Sequence, residues 1–404
     1  MKPKSLAIMA GTALVLSALA LTLDSRRNTR AFWTKADEPL FPGLESRVND
    51  VHSLVIESAS DTTTLVRDGD AWKVAERGGY AGRSEDVGRI LVALAGARRL
   101  EPLTSDPERY ESLGLDGSLP AGFEDDASQT VRIALLDADG KTLAEIFVGR
   151  RRTHGGAESW YVREPDEAVT WSVEGKLRTP QSTTQWLQTE LLDISRDRIR
   201  EVRLVHADGE TIELVRQGDD GSAFDIRNLP QGREPKSDRS AASFLGSLAN
   251  LRLTDVRPAS EVEFPEPPET VTTWWTVGGL RVTAELFEED DDLLCRFDFG
   301  YDVDKAPVPE MGPAPLDPDA ADLPTVGDVP DPVTVPVDDA DPTPTREEIE
   351  AESLELREKT AGWVFLLPSW KKSSLVTTMQ DLLAELPEES PDDAEGTDDD
   401  PLTD

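Results

Sequence analysis

The sequence predicts an α+β fold: two tandem similar modules of mainly antiparallel sheet with packed helices, after one N-terminal transmembrane helix. Three observations carry that prediction. Alternating apolar and polar runs rich in β-branched residues recur along the chain, similar blocks return about 150 residues apart, and one apolar run of transmembrane length lies near the start.

The apolar run comes first in the chain. After a short flank (residues 1–5) with Lys2 and Lys4, "LAIMAGTALVLSALALTL" (6–23) is uncharged and ends at Asp24 and Arg26-Arg27. At roughly 1.5 Å per residue it just spans a hydrocarbon core of about 30 Å. Because the run continues through Leu21 and Leu23, it reads as an uncleaved anchor. A signal peptide is the competing reading, since Ala18 to Ala20 resembles a small-residue cleavage site. Lys2 and Lys4 nearly balance Arg26, Arg27 and Arg30, so the positive-inside count leaves the orientation open. Both readings export the bulk of the chain. The expectation is a single-pass protein of a bacterial inner membrane, its bulk facing the periplasm or cell exterior, with 24–48 as a juxtamembrane linker.

Internal similarity then divides the remainder. "LVRDGD" (65–70) returns as "LVRQGD" (214–219), and "TVRIALLDADGKTLAEIFVG" (130–149) aligns without gaps to "RVTAELFEEDDDLLCRFDFG" (281–300). Further on, Trp160, Val162 and Pro165 meet Trp363, Phe365 and Pro368 at a much larger offset, which measures an insertion in the second copy. The expected organisation is a first module at 49–197 and a second at 198–304 closing at 346–388. An insertion (305–345) interrupts the second, and a tail (389–404) follows it.

Within each module two alternating runs open the sheet, with Asp68-Gly69-Asp70 between them. Asp-x-Asp can hold a divalent metal, but Asp-Gly between alternating runs is a hairpin signal. The second copy keeps Gly218 and Asp219 and replaces Asp68 by Gln217, an exchange that a turn tolerates and a metal pair does not. A helix follows, with Ser84 as N-cap and Val87, Ile90, Leu91 and Leu94 as one apolar stripe. Ser105 and Glu108 fit a capping box, with Pro107 in the first turn and Gly114 as the stop. A hairpin turning at Asp137–Gly140 comes next, then strands around "SWYVREPDEAVTWSV". An amphipathic helix carrying Trp186, Leu187, Leu191 and Leu192 closes the module, with a counterpart at Met379. Residues 306–345 hold eleven prolines and nine acidic residues with no basic one, a composition that cannot offset chain entropy by burial. Thr345 and Glu348 then cap a short charged helix, and the tail is a solvated acidic run.

Composition excludes some functions. The 404 residues carry a net charge of −38, against the basic stripe that nucleic-acid binding needs. The one cysteine, Cys295, rules out an intrachain disulfide and sits in an alternating run as a small apolar residue. His52, His154 and His206 have no second ligand at metal spacing, and no Walker loop, dinucleotide fingerprint or nucleophile elbow is present. No catalytic, cofactor-binding or metal residue is therefore assigned. The candidate partner or ligand surface is aromatic and basic: Trp160, Tyr161, Trp171, Trp274 and Trp275, with Arg150, Arg151 and Arg152 in an otherwise acidic chain. Adjacent Trp274 and Trp275 on one strand would point to opposite faces, which leaves one of them outside the core.

The stretch 72–115 resembles a family. Trp72 and Val74 precede Tyr80, the leucine-rich helix at 87–94 follows, and then Tyr110, Leu113, Gly114 and Leu115. With "VGRRRTHGGAESWYVR" and "WLQTELLDISRDRIREVRL", this is similar to the bacterial domain of unknown function family 4340 over roughly residues 50 to 300. Ala81 stands where that family often has proline, and the Pro/Asp-rich insertion is atypical of it. The resemblance implies one N-terminal membrane segment and company with ABC-transporter components of gliding-motility type, and it brings no catalytic residues. The expected function is a non-catalytic, membrane-anchored, extracytoplasmic accessory or binding component of an ABC-transporter-like envelope assembly. Its partners would be the inner membrane through residues 6–23 and a transporter permease or related envelope protein. The alternatives are an envelope hydrolase using carboxylates with no sequence signature, and a passive scaffold.

Overall fold

The structure, a computed structural model, describes residues 35–59, 61–115, 130–154, 157–177, 179–217, 223–236, 244–306 and 344–384. The expected anchor at 6–23, nearly all of the insertion and the acidic tail lie outside the described residues. Among the described residues no helix is long and apolar enough to cross a membrane. The fold is mostly antiparallel sheet with a few helices, and the chain divides into two compact units between Gln188 and Thr189.

The first unit contains β1 (Ser53–Glu57), β2 (Thr62–Asp68), β3 (Ala71–Val74), β4 (Tyr80–Ala81), helix α1 (Ser84–Gly96), β5 (Arg98–Pro102), the short helix α2 (Tyr110–Leu113), β6 (Val131–Leu136), β7 (Thr142–His154), β8 (Ala157–Arg163) and β9 (Trp171–Glu174). Its nine strands run in the order β4-β3-β2-β1-β6-β7-β8-β9-β5. Strand alternation sets the core: Leu54 and Ile56 of β1, Leu65 of β2 and Ile133 and Leu135 of β6 are all buried. Leu54 faces Leu65 on one side and Leu135 on the other. Helix α1 buries Val87, Ile90, Leu91 and Leu94, the stripe that its spacing predicts. The outer edge of β5 is covered by the preceding chain: Arg99 N donates to Glu38 O, and Asp37 N to Arg99 O. Covering it removes an open template for pairing with another chain.

The second unit contains β10 (Glu190–Leu192), β11 (Ile199–His206), β12 (Thr211–Gln217), β13 (Ala223–Ile226), β14 (Leu251–Arg252), β15 (Asp255–Pro258), β16 (Thr270–Thr276), β17 (Leu280–Glu289), β18 (Asp292–Tyr301), α3 (Arg346–Thr360), β19 (Trp363–Leu367), α4 (Lys372–Leu375) and α5 (Met379–Leu382). Its eight-stranded sheet runs β13-β12-β11-β16-β17-β18-β19-β15, and β10 pairs with β14 in a separate ladder. Val202 faces Leu214 and Trp274, as Leu54 faces Leu65 and Leu135 in the first unit. Helix α3 opens on the predicted capping box of Thr345 and Glu348.

Several expectations need correction. The helix expected at Trp186–Leu192 is a 3₁₀ turn (Thr183–Trp186) followed by strand β10. Leu191 and Leu192 are both buried, a pattern that periodicity alone cannot separate from a helix face. Ser84 does not cap α1, because its Oγ accepts from Trp72 N and Arg83 occupies the cap position. At the next turn Asp106, not Ser105, takes the cap role and accepts from Glu108 N. The expected match between the two halves also departs from the sheet order at the hairpin. By sheet order β6 and β7 hold the places of β16 and β17, whereas the gapless match had laid them on β17 and β18. Likewise Trp160 lies in β8 and Trp363 in β19, which hold different places. Consecutive hairpins share one alternation, and the acidic β6–β7 turn resembles the acidic β17–β18 turn (Asp290-Asp291) more than the Val277-Gly278-Gly279 turn that follows β16, so the sequence match slid one hairpin on.

Candidate binding cleft

A cleft of about 1530 Å³ opens in the first unit between α1 and the sheet. Helix α1 supplies one wall through Glu85, Asp86, Gly88, Arg89, Val92 and Ala93. The other lining comes from β6–β8 (Val131, Val148, Gly149, Arg151, Glu158, Trp160) and from the chain after β9 (Lys176, Leu177, Thr179, Pro180, Gln181, Gln185, Trp186). That last segment is anchored. Thr183 N donates to Asp61 Oδ2 at 2.8 Å, Ser58 Oγ to Gln181 O at 2.7 Å, and Trp186 Nε1 to Pro180 O at 3.2 Å.

Gly149, part of the lining, lets β7 pass close to α2. A side chain there would meet the carbonyl oxygens of Leu113 and Gly114 at the end of α2, so β7 approaches that backbone closely only because the position is glycine. The α2 end is itself fixed: Gly114 is left-handed at φ 67°, and Thr130 Oγ1 donates to its carbonyl at 2.7 Å.

The electrostatics of the lining are mixed. Asp86, almost fully buried, pairs with both Arg83 (2.8 Å) and Arg89. Arg151 pairs with Glu158 at 2.9 Å across the β7–β8 ladder. The lining thus holds four cations (Arg83, Arg89, Arg151, Lys176) against three acids (Glu85, Asp86, Glu158), a local positive excess in a chain of net charge −38. Trp160 is half-buried there, and its Nε1 has no hydrogen-bond partner among the described residues.

Of the sequence-predicted surface residues, Trp160 and Arg151 line this cleft together. Arg150 is exposed outside it, and Arg152 pairs with Glu101 at 2.7 Å. Tyr161 is half-buried on β8. Trp171 is fully buried under the Arg99 guanidinium, 5.5 Å from its ring, and is core. Trp274 and Trp275 do point to opposite faces. Trp274 is buried and donates to Phe244 O at 3.2 Å, while Trp275 donates to Asp302 Oδ2 at 2.8 Å beneath Lys305. They belong to the second unit.

Other candidates resolve into structure. Asp68-Gly69-Asp70 is the β2–β3 turn with Gly69 at φ 63°, and Asp68 pairs with Lys73 at 2.5 Å, which holds its carboxyl below the usual carboxylate range. His206 lies between Thr270 Oγ1 (2.9 Å) and Thr377 O (2.8 Å). His154 ends β7, and His52 precedes β1 half-buried. Cys295 is fully buried in β18, and burial pushes its thiol well up from the usual value. Among the described residues no group of three His, Cys, Asp or Glu could hold a metal.

Sequence reasoning missed Arg83, Arg89 and Lys176. Arg83 and Arg89 sit three residues either side of Asp86, so the i,i+3 pairing was legible. Its position beside a cleft was not.

No curated protein matches the chain. Residues 72–268, which include every residue lining the cleft, match the sequence profile described as Domain of unknown function (DUF4340).

Proposed function

We propose that this protein is a non-catalytic, extracytoplasmic binding component, anchored in the inner membrane through residues 6–23, that docks a subunit of an ABC-transporter-like envelope assembly through the cleft of its first unit. The single observation that carries the proposal is the size and make-up of that cleft. At about 1530 Å³ it exceeds the roughly 300–1,000 Å³ of small-molecule sites, and it combines an apolar floor with exposed arginine heads on its rim. The two units are read as copies of one ancestral module, a reading supported by their matching strand orders and by the Leu54 and Val202 registers.

The test is site-specific photocrosslinking in native membranes. A photoreactive residue at Arg89 is expected to capture an integral transporter subunit, whereas one at Asp139, in the β6–β7 turn, is expected to capture none. Equal capture from both positions, or none from Arg89, would refute the proposal.

A further inference from the structure

The second unit shows what fills the corresponding place when the chain fills it itself. There the segment after β19 lies over β16, the strand that takes the place of β6 in the sheet order. Thr272 Oγ1 donates to Leu375 O at 2.9 Å, and Lys371 Nζ donates to Ser247 O at 2.7 Å. Leu375 is fully buried, and Lys371, Ser374 and Thr377 are nearly so. From the end of β19 at Leu367 to Met379 this connection has eleven residues (368–378) and includes α4. In the first unit the connection from Glu174 to the turn at Thr183 has eight (175–182) and no helix among its described residues. Three residues fewer, it lines the cleft with Lys176, Leu177, Thr179, Pro180 and Gln181 and carries no counterpart of α4 among its described residues.

We infer that the cleft takes a short peptide segment of a partner protein, with a leucine-type anchor flanked by carboxylates. The anchor follows from Leu375, the residue that closes the equivalent place in the second unit, and from the apolar floor of Val131, Val148 and Ile90. The carboxylates follow from the charge of the lining. Lys176 is exposed with no acidic partner among the described residues, and Arg83, Arg89 and Arg151 hold their acids with side chains about half or more exposed. Such heads can turn from an internal acid to a ligand acid at small cost. This inference rests on the binding role proposed above and names the chemistry of the bound segment.

Fluorescence anisotropy with the full chain in detergent micelles tests it. The probe is a fluorescein-labelled ten-residue peptide with a central leucine between glutamates, and the control replaces those glutamates with lysines. The glutamate peptide is expected to bind about tenfold more tightly at low salt, the ratio that two or three exposed ion pairs exchanged for repulsions would give. Gly88→Trp fills the cleft from α1, where an added side chain meets nothing within 4 Å, and should abolish binding without lowering the melting temperature. Lys176→Glu, a surface change, should weaken the glutamate peptide and leave the fold intact. Equal affinity for the two peptides, or unchanged binding by Gly88→Trp, would overturn the inference. If no peptide binds while Arg89 still crosslinks to a transporter subunit, the peptide chemistry falls and the binding role stands.

Discussion

Replacing Gly149 by alanine should be among the most damaging methyl additions in the first unit. The new Cβ would lie 2.7 Å from Gly114 O and 3.0 Å from Gly114 C, and closer still to Leu113 O. These are backbone atoms, so no flexible side chain can swing away. They are also held: Leu115 is fully buried, Leu115 N donates to Tyr110 O, and Thr130 Oγ1 binds Gly114 O. Overpacking against a fixed wall costs about 1–3 kcal/mol, and this contact belongs at the upper end. For a unit of this size about 3 kcal/mol corresponds to a fall in melting temperature of roughly 6–12 °C. Gly88→Ala is the matched control. It adds the same methyl on α1 where nothing lies within 4 Å, so helix propensity should raise stability by about 0.5–1 kcal/mol. Differential scanning calorimetry of both variants measures the contrast. A Gly149→Ala protein that melts with the wild type would refute the close approach of β7 to α2.

Three further outcomes are expected. Arg99, 4% exposed, binds Glu164 at 2.5 Å and Pro39 O at 3.1 Å, so Arg99→Met alone should cost about 3 kcal/mol by leaving a mostly buried carboxylate without its partner. Arg99→Met with Glu164→Leu should recover most of that loss in urea unfolding, and equal losses for the single and double variants would contradict the pairing. Burial pushes the Tyr80 phenol from 10.0 up to about 12, so the unfolded chain ionises first as pH rises. The stability that Tyr80 gives below pH 10 is therefore lost between pH 10 and 12, by about 2–3 kcal/mol at 1.36 kcal/mol per unit, and Tyr80→Phe should flatten that decline. Finally, Cys295 should resist a thiol reagent in the native protein and react at the rate of unfolding, which timed mass spectrometry reads directly.

The elements legible in the sequence were those with a local signal. The α1 stripe, the Asp68–Asp70 and Asp137–Gly140 turns, the Gly114 stop and the Thr345 capping box depend on neighbours within a few residues, and each formed where it was expected. What failed was set by tertiary contacts. Ser84 gave up its cap role because β3 offered it the Trp72 amide, and Leu191–Leu192 became a strand because β14 was there to pair with it. The hairpin register failed for a third reason: period-two alternation repeats itself one hairpin on, and only the sheet order tells the two apart. The candidate site was half legible. Trp160 and Arg151 stood out as an aromatic and a basic residue in an acidic chain, but their companions Arg89 and Lys176 lie 62 and 25 residues from Arg151 and meet it only through the fold.

Hydrogen exchange of the full-length protein, with and without the proposed transporter subunits, bears most directly on the proposal that the cleft is a docking surface. The two walls should gain protection together when the partner is present, at residues 83–93 on α1 and 148–160 on β7 and β8. Unchanged exchange in both walls, with new protection at β11–β12 of the second unit instead, would contradict it.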